Sequence, residues 1–231
     1  MKHPRRALVT SLLLTCSSLA PISRAQTYPA AEAYVGFTVV NNEYGTDRHN
    51  SPGVQLSFVY NMTPFLGGLA DFSAENHSTD IIWANGRRVE DNDYQLLFGP
   101  EFALRRSPRF TPFAHGLAGI AFRHYAVPTG NWICTGYSCY EDKFVVARET
   151  GFASGLGGGL DWRVWSIVSV RVAQFDWIRS NLSRDNVNYS PAEGQFPTLH
   201  GWQDNYRFST GFTVRFGTRE PQRLSRAHST D

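Results

Sequence analysis

Between Asp93 and Arg105 the chain alternates with a period of two. Tyr94, Leu96, Phe98, Pro100, Phe102 and Leu104 interleave with Asp93, Gln95, Leu97, Gly99, Glu101, Ala103 and Arg105. In an extended strand these two sets point to opposite faces. One face is therefore an aromatic and aliphatic ribbon, and the other is mostly small or polar with charges in mid-strand. Thr150–Arg163 repeats the pattern, with Phe152, Leu156, Leu160 and Trp162 against Gly151, Ala153, Gly155, Gly157, Gly159, Asp161 and Arg163. Phe65–Glu75 sets Leu66, Ala70 and Phe72 against Gly67, Leu69, Asp71 and Ser73. Near the end, Tyr206, Phe208, Thr210, Phe212, Val214 and Phe216 alternate with Arg207, Ser209, Gly211, Thr213 and Arg215.

A soluble barrel would turn the greasy ribbon inward and clothe itself in Gly, Ala, Ser and scattered Arg. That is a poor coat for water, and only Lys2 and Lys143 among the 22 basic residues are lysine. Turned outward, the ribbon meets lipid, and the small residues fill a lumen that eight strands leave just wide enough for side chains. The reverse placement would put each mid-strand Arg against hydrocarbon at about 2–4 kcal/mol near the midplane. Apolar-out is the better arrangement.

Eight strand-like runs occur, near residues 32–40, 53–61, 65–75, 93–105, 110–125, 150–163, 167–179 and 205–216. Most run nine to sixteen residues, whereas strands of globular proteins cluster near five or six and a bilayer-crossing strand needs about 9–11. The connections alternate between long ("NNEYGTDRHNSP", "NHSTDIIWANGRRVEDN") and short ("MTP", "RSPR", "VWS") throughout. Such sorting puts every long loop at one end of a meander, the form of transmembrane barrels with short periplasmic turns. A lipocalin-like barrel has no reason to sort its loops in this way.

The inward charges predicted from parity are Asp71, Glu101, Asp161 and Asp176 against Arg105, Arg163, Arg171, Arg207 and Arg215. In a narrow lumen they should neutralise one another in hydrogen-bonded networks. Such a network acts as a structural plug, or as a gate if its pairs exchange partners. In "VSVRVAQFDWIR" the parity slips near Ala173, which predicts a β-bulge. The run "FTPFAHGLAGIAFRHY" is small and apolar on both faces, so neither its parity nor the direction of His115 is assigned. Aromatic residues gather near strand ends (Tyr60, Phe65, Phe110, Tyr125, Trp162, Trp165, Trp177, Phe216), as interfacial girdles do.

The start, "MKHPRRALVTSLLLTCSSLAPISRAQ", has a basic n-region, an apolar segment and small residues before Gln26. It reads as a secretory signal peptide cleaved after Ala25. Cys16 raises a lipoprotein site, which the preceding Thr15 fits poorly. The formal charge of +2 loses Lys2, Arg5, Arg6 and Arg24 with the signal and becomes −2, so nucleic acid is not an implied partner.

The closing "STGFTVRF", through Ser209, Gly211, Val214 and Phe216, resembles the C-terminal strand signal by which outer-membrane barrels are recognised for assembly. With Leu96–Phe122 and Gly151–Val164, it makes the chain similar to the small eight-stranded outer-membrane barrel family. That family includes the transmembrane domain of outer membrane protein A and the opacity-type porin-like proteins. The resemblance runs from about Ala31 to Gly217 and departs from the family in a polar tail, "TREPQRLSRAHSTD", read as disordered. The tail is too short for the peptidoglycan-binding domain of some larger relatives.

Other candidate chemistry is thin. Cys134 and Cys139 in "CTGYSC" favour a disulfide in an oxidising envelope. The run Gly155–Gly159 lacks the following helix that a phosphate cradle needs. Some eight-stranded outer-membrane barrels are lipid-modifying enzymes, but no histidine here is paired by spacing with a strand serine. The acidic pieces Glu90–Asp93 and Ser183–Asn186 read as solvated loop charge rather than calcium ligands.

The expected fold is thus all-β: an eight-stranded antiparallel up-and-down transmembrane β-barrel with long, mobile outer loops and short periplasmic turns. Residues 1–25 are the signal peptide, 26–217 the barrel and 218–231 a periplasmic tail. The expected location is the cell outer membrane, reached through the periplasm. The leading function is an integral structural or porin-like barrel with at most a narrow or gated pore. The alternatives are a surface recognition or adhesion protein using its outer loops, and a lipid-modifying enzyme. No catalytic, cofactor or metal residue is assigned. Expected partners are outer-membrane lipid, lipopolysaccharide, the barrel assembly machinery and an external ligand at the loops.

Overall fold

The computed structural model describes residues 27–44, 47–83, 85–185 and 201–220. The strands are β1 (Ala31–Tyr44), β2 (Asp47–Asn61), β3 (Leu66–Ile82), β4 (Arg88–Ala103), β5 (Phe110–Thr135), β6 (Ser138–Arg163), β7 (Val168–Asp185) and β8 (Trp202–Phe216). Each pairs antiparallel with the next, and β8 returns to β1, so the sheet closes into a barrel. Closure leaves no sheet edge across the apolar belt, the condition hydrocarbon imposes on β-structure. Among the described residues no helix is long and apolar enough to cross a membrane.

Side-chain direction follows the sequence pattern. Along β4, Leu97 is fully buried while its neighbour Phe98 is 53% exposed. Phe72, Phe102, Phe152, Leu156, Phe208 and Phe212 share the outer wall with Phe98. Asp71, Glu101, Asp161, Arg171, Asp176, Arg207 and Arg215 are all buried inside. An apolar exterior around a charged interior is stable only where the surroundings are apolar, so this wall faces lipid. The lumen also holds an apolar cluster of Val59, Leu69, Leu97, Leu117, Ala121, Ala153 and Leu182.

The predicted bulge lies on β7. Arg171 pairs with Gly211 and Gln174 with Ser209, so Val172 and Ala173 together oppose Thr210. The Thr210 hydroxyl donates to the Arg171 carbonyl at 2.9 Å. The extra residue lets Arg171 and Asp176 both point inward, although they are an odd number of positions apart. On β5 the structure assigns the parity that composition left open: Phe113, His115, Leu117, Ala121, Arg123 and Tyr125 are buried inside.

Two glycines are forced by close approach. At the closing seam Gly36 pairs with Gly211, and a Cβ on Gly211 would lie 2.4 Å from the Gly36 Cα. Inside, a Cβ on Gly157 would sit 1.9 Å from the Asp176 carboxylate. The run Gly155–Gly159 therefore continues a strand and makes room for luminal side chains.

The outer connections are long, as expected, and largely built of strand. The strands do not stop at the membrane: β5 and β6 are each 26 residues long, roughly fifteen more than a crossing needs. Their pairing continues to Thr135–Ser138, so the third connection is a ribbon reaching about 50 Å beyond the belt at 3.3 Å per residue. The first and second connections are also largely strand, since β1 pairs with β2 up to Tyr44–Asp47 and β3 with β4 up to Ile82–Arg88. Most of the fourth, residues 186–200, lies outside the described residues, as do residues 1–26 with the expected signal peptide and Cys16. At the tight-turn end, order continues past Gly217, because Arg219 forms a β-bridge with Tyr28. Residues 221–231 of the expected tail lie outside the described residues.

Candidate functional site

The barrel interior is built in three charged layers. In the middle layer, Arg207 projects from β8 to the axis. Its Nη1 lies 2.8 Å from Asp71 Oδ1 on β3 and its Nε donates to Asp176 Oδ2 on β7 at 2.8 Å. β3 and β7 stand four strands apart in the ring, so one guanidinium ties opposite walls together. Gln55 donates to Asp71 from β2. His115 Nε2 contacts Asp176 Oδ1 at 2.8 Å, and Gln174 donates to Asp176 Oδ2 at 2.7 Å. Gln174 then accepts from Arg171 Nη1 at 2.7 Å, and Arg171 grips Asp161 through Nε and Nη2 at 2.9 and 3.3 Å. The Arg171 guanidinium is also sandwiched between the Tyr34 and Phe113 rings, 4.2 Å from each centroid.

The layer toward the tight turns holds Glu32, Arg105, Arg163 and Arg215. Arg105 donates to Glu32 Oε1 at 2.5 Å, to Asn61 Oδ1 at 3.0 Å and to the Pro64 carbonyl at 2.8 Å. Arg215 reaches Glu32 Oε2 only at 3.6 Å, and Arg163 is half-buried beside them. The outer layer centres on Arg123, whose Nε and Nη2 bond both oxygens of Asp93 at 2.5 and 3.1 Å. Asn42 donates to the same carboxylate at 3.0 Å. Above it, Trp83, Val89, Tyr125, Val127, Val146 and Ala147 form a second apolar cluster.

Of the nine charges read from parity, Asp71, Arg207, Asp176, Arg171 and Asp161 form the one connected middle network. Arg105, Arg163 and Arg215 form the layer below it. Glu101 is buried opposite His115, with its Oε2 lacking a hydrogen-bond partner. Several members escaped the sequence reading. Glu32, Gln55 and Gln174 were read for strand position or parity alone, Asp93 and Arg123 lay too near strand ends, and His115 had no assigned face. Of the closing-strand residues, Ser209 is buried and donates to Thr38 Oγ1 at 3.1 Å, and Phe216 is exposed on the wall.

At the far end of the β5–β6 ribbon Cys134 and Cys139 are disulfide-bonded. Around them Trp132, Ile133, Tyr137 and Tyr140 are exposed. Just below this tip the ribbon is braced against the β3–β4 connection: Arg87 donates to Glu141 at 2.6 Å, Lys143 to Glu90 at 2.5 Å, and Asn85 to the Pro128 carbonyl at 3.0 Å. Trp83 meets the Phe144 ring edge-on at 6.1 Å. Glu90 is thus an ion-pair partner, and no group of three or more His, Cys, Asp or Glu among the described residues is arranged to hold a metal.

No family model and no curated protein matches this chain. Among solved structures it is similar to Neisserial surface protein A, at 10% identity and a TM-score of 0.54, covering 83% of this chain and 99% of that one. The chain has the fold of the small eight-stranded outer-membrane barrels. The attachment invasion locus protein of Yersinia pestis matches at 11% identity and a TM-score of 0.46, covering 83% and 100% of the two chains. The N-terminal barrel domain of Pseudomonas aeruginosa OprF matches at 11% identity and 0.34, covering 82% and 100%. An outer-membrane barrel of this kind crosses its bilayer on eight strands, with the tight turns at one rim and the ribbons at the other.

Proposed function

We propose that this protein is a sealed, non-conducting outer-membrane barrel whose work is done by the rigid ribbons above the membrane. It reaches that membrane after export, and Ser209, Gly211, Val214 and Phe216 of β8 serve as the signal read by the assembly machinery. The observation that carries the sealed reading is Arg207, 0% exposed and held between Asp71 and Asp176 across the axis. An ion would have to break charge-assisted bonds in a low dielectric to pass. A gated pore would need these pairs to exchange partners, yet each member is also fixed by a neighbour such as Gln55, His115 or Gln174. Planar-bilayer recording of the folded protein tests this. The reading expects no discrete conductance steps, and reproducible steps from a native preparation would replace it with the porin-like alternative.

The ribbon tip supports the second half of the proposal. A two-stranded hairpin alone is marginal, and this one is closed by a disulfide and braced by two ion pairs just below its tip. Aromatic side chains held on a rigid backbone lose little entropy on contact, as in binding loops. The reading makes the tip a recognition surface for an external ligand. Deleting residues 131–140 should abolish any specific surface-binding event while leaving the barrel folded.

A further inference from the structure

We infer that the tip of the β5–β6 ribbon is a membrane-contact wedge, whose external ligand is the uncharged lipid interface of an apposed membrane. The inference rests on the tip being this protein's recognition surface and names its partner by chemistry. Residues 131–140, "NWICTGYSCY", include no Asp, Glu, Lys, Arg or His. The ribbon closes through Gly136 and Tyr137, and Gly136 has a φ of 62°. A type II′ hairpin asks that conformation of its first central residue. So tight a turn leaves Tyr137 fully exposed at the apex.

The bulky side chains point in three directions. Ile133 pairs with Tyr140, while Trp132 and the bridged pair Cys134–Cys139 take the alternate positions. Cross-strand partners share a face and successive residues alternate. Ile133 and Tyr140 therefore occupy one face, Trp132 and the disulfide the other, and Tyr137 the end. Trp132 is 67% exposed and Tyr140 55%. A folded protein or a sugar docked on one face would leave the other in water. A lipid interface closes round the whole apex, and Trp and Tyr favour it because each is apolar in body and polar at one edge. Charge behind the tip sets the depth. Glu141 stands four residues behind Tyr137, about 13 Å at 3.3 Å per residue, which leaves room for the roughly 5–10 Å that an interfacial segment buries. Glu141 pairs with Arg87 and Lys143 with Glu90, so these cations are not free to select an anionic membrane. The ribbon holds its tip about 50 Å above its own bilayer, and the membrane it meets therefore belongs to another cell or vesicle.

The test uses the full chain in nanodiscs of uncharged lipid, mixed with vesicles of brominated phosphatidylcholine. Co-flotation reports binding, and the tryptophan quenching that is lost in W132F reports entry of Trp132. The expected result is saturable co-flotation, equal at low and high salt and unchanged when phosphatidylglycerol is added to the vesicles. W132S and Y137S should each weaken partitioning by about tenfold, the loss of one buried aromatic. Both positions are exposed, so the barrel should fold, which heat-modifiable migration checks. W165S, at the tight-turn rim, should bind as the native protein does. No co-flotation, equal binding by the native chain and a W132S–Y137S double variant, or binding that needs phosphatidylglycerol and falls with salt overturns the inference. Cell binding that is lost on deleting residues 131–140, without any vesicle binding, overturns the lipid partner and leaves the recognition surface standing. Cell binding indifferent to that deletion removes both.

Discussion

Arg207 is the residue on which the interior turns, and Arg207→Met is the perturbation that shows it. Methionine keeps much of the side-chain length and removes the charge, leaving Asp71 and Asp176 to face each other across the axis. Both carboxylates are almost fully buried, and both partners of Arg207 lie at 2.8 Å. Breaking a buried pair from one side costs about 3–5 kcal/mol, because the orphaned charge stays desolvated. Two orphans place this substitution at the top of that range, though His115 and Gln174 still hold Asp176 and Gln55 still holds Asp71. The measurement is urea unfolding in lipid vesicles, followed by tryptophan fluorescence and checked by heat-modifiable gel migration. Adding Asp71→Asn and Asp176→Asn to Arg207→Met should recover most of the loss, since an uncharged set leaves no orphaned ion. A loss below about 1 kcal/mol, the level of a surface ion pair, would refute the reasoning and mean that the lumen is wet enough to screen its charges.

Further outcomes follow from the same geometry. Phe208→Arg, on the lipid wall, should cost about 2–4 kcal/mol in vesicle unfolding if its position is near the midplane. Gly157→Val should fold poorly, because the new Cβ falls on the Asp176 carboxylate; heat-modifiable migration reads this directly. The pair Cys134→Ser and Cys139→Ser should leave barrel stability unchanged but speed proteolytic nicking of the ribbon tip, a region with no other cross-link among the described residues. Arg87→Gln, at a pair whose arginine side chain is 46% exposed, should change global stability by less than about 1 kcal/mol.

How far the chain could be read depended on where two environments met. Within the belt, each residue faces either lipid or lumen, and the contrast writes itself as Phe98 beside Leu97 and Glu101, or Phe208 beside Arg207. The same contrast exposed the bulge at Val172–Ala173, since a single inserted residue flips every later side chain. Toward the tip of the β5–β6 ribbon both faces meet water, so Asn131–Lys143 carries no period and passed for a loop. In β5 the outer face carries Ala114, Gly116 and Ala118 where other strands carry aromatics, so size did not mark the lipid side, and His115 was unassignable without Asp176 beside it. The sharing of Glu32 at the turn end was equally hidden: parity placed Arg163 and Arg215 inside, but only coordinates reveal that Arg105 already occupies Glu32.

The decisive measurement is contact between methyl groups and lipid chains in a nanodisc, by NMR cross-relaxation from acyl methylene protons. Val54, Leu56 and Leu156 are exposed on the wall, whereas Leu69, Leu97 and Leu117 are buried in the lumen. Strong transfer to the first three methyl sets and none to the second three is the expected result. Transfer to Leu69, Leu97 and Leu117, with Val54, Leu56 and Leu156 silent, would contradict an apolar exterior wrapped around a charged core.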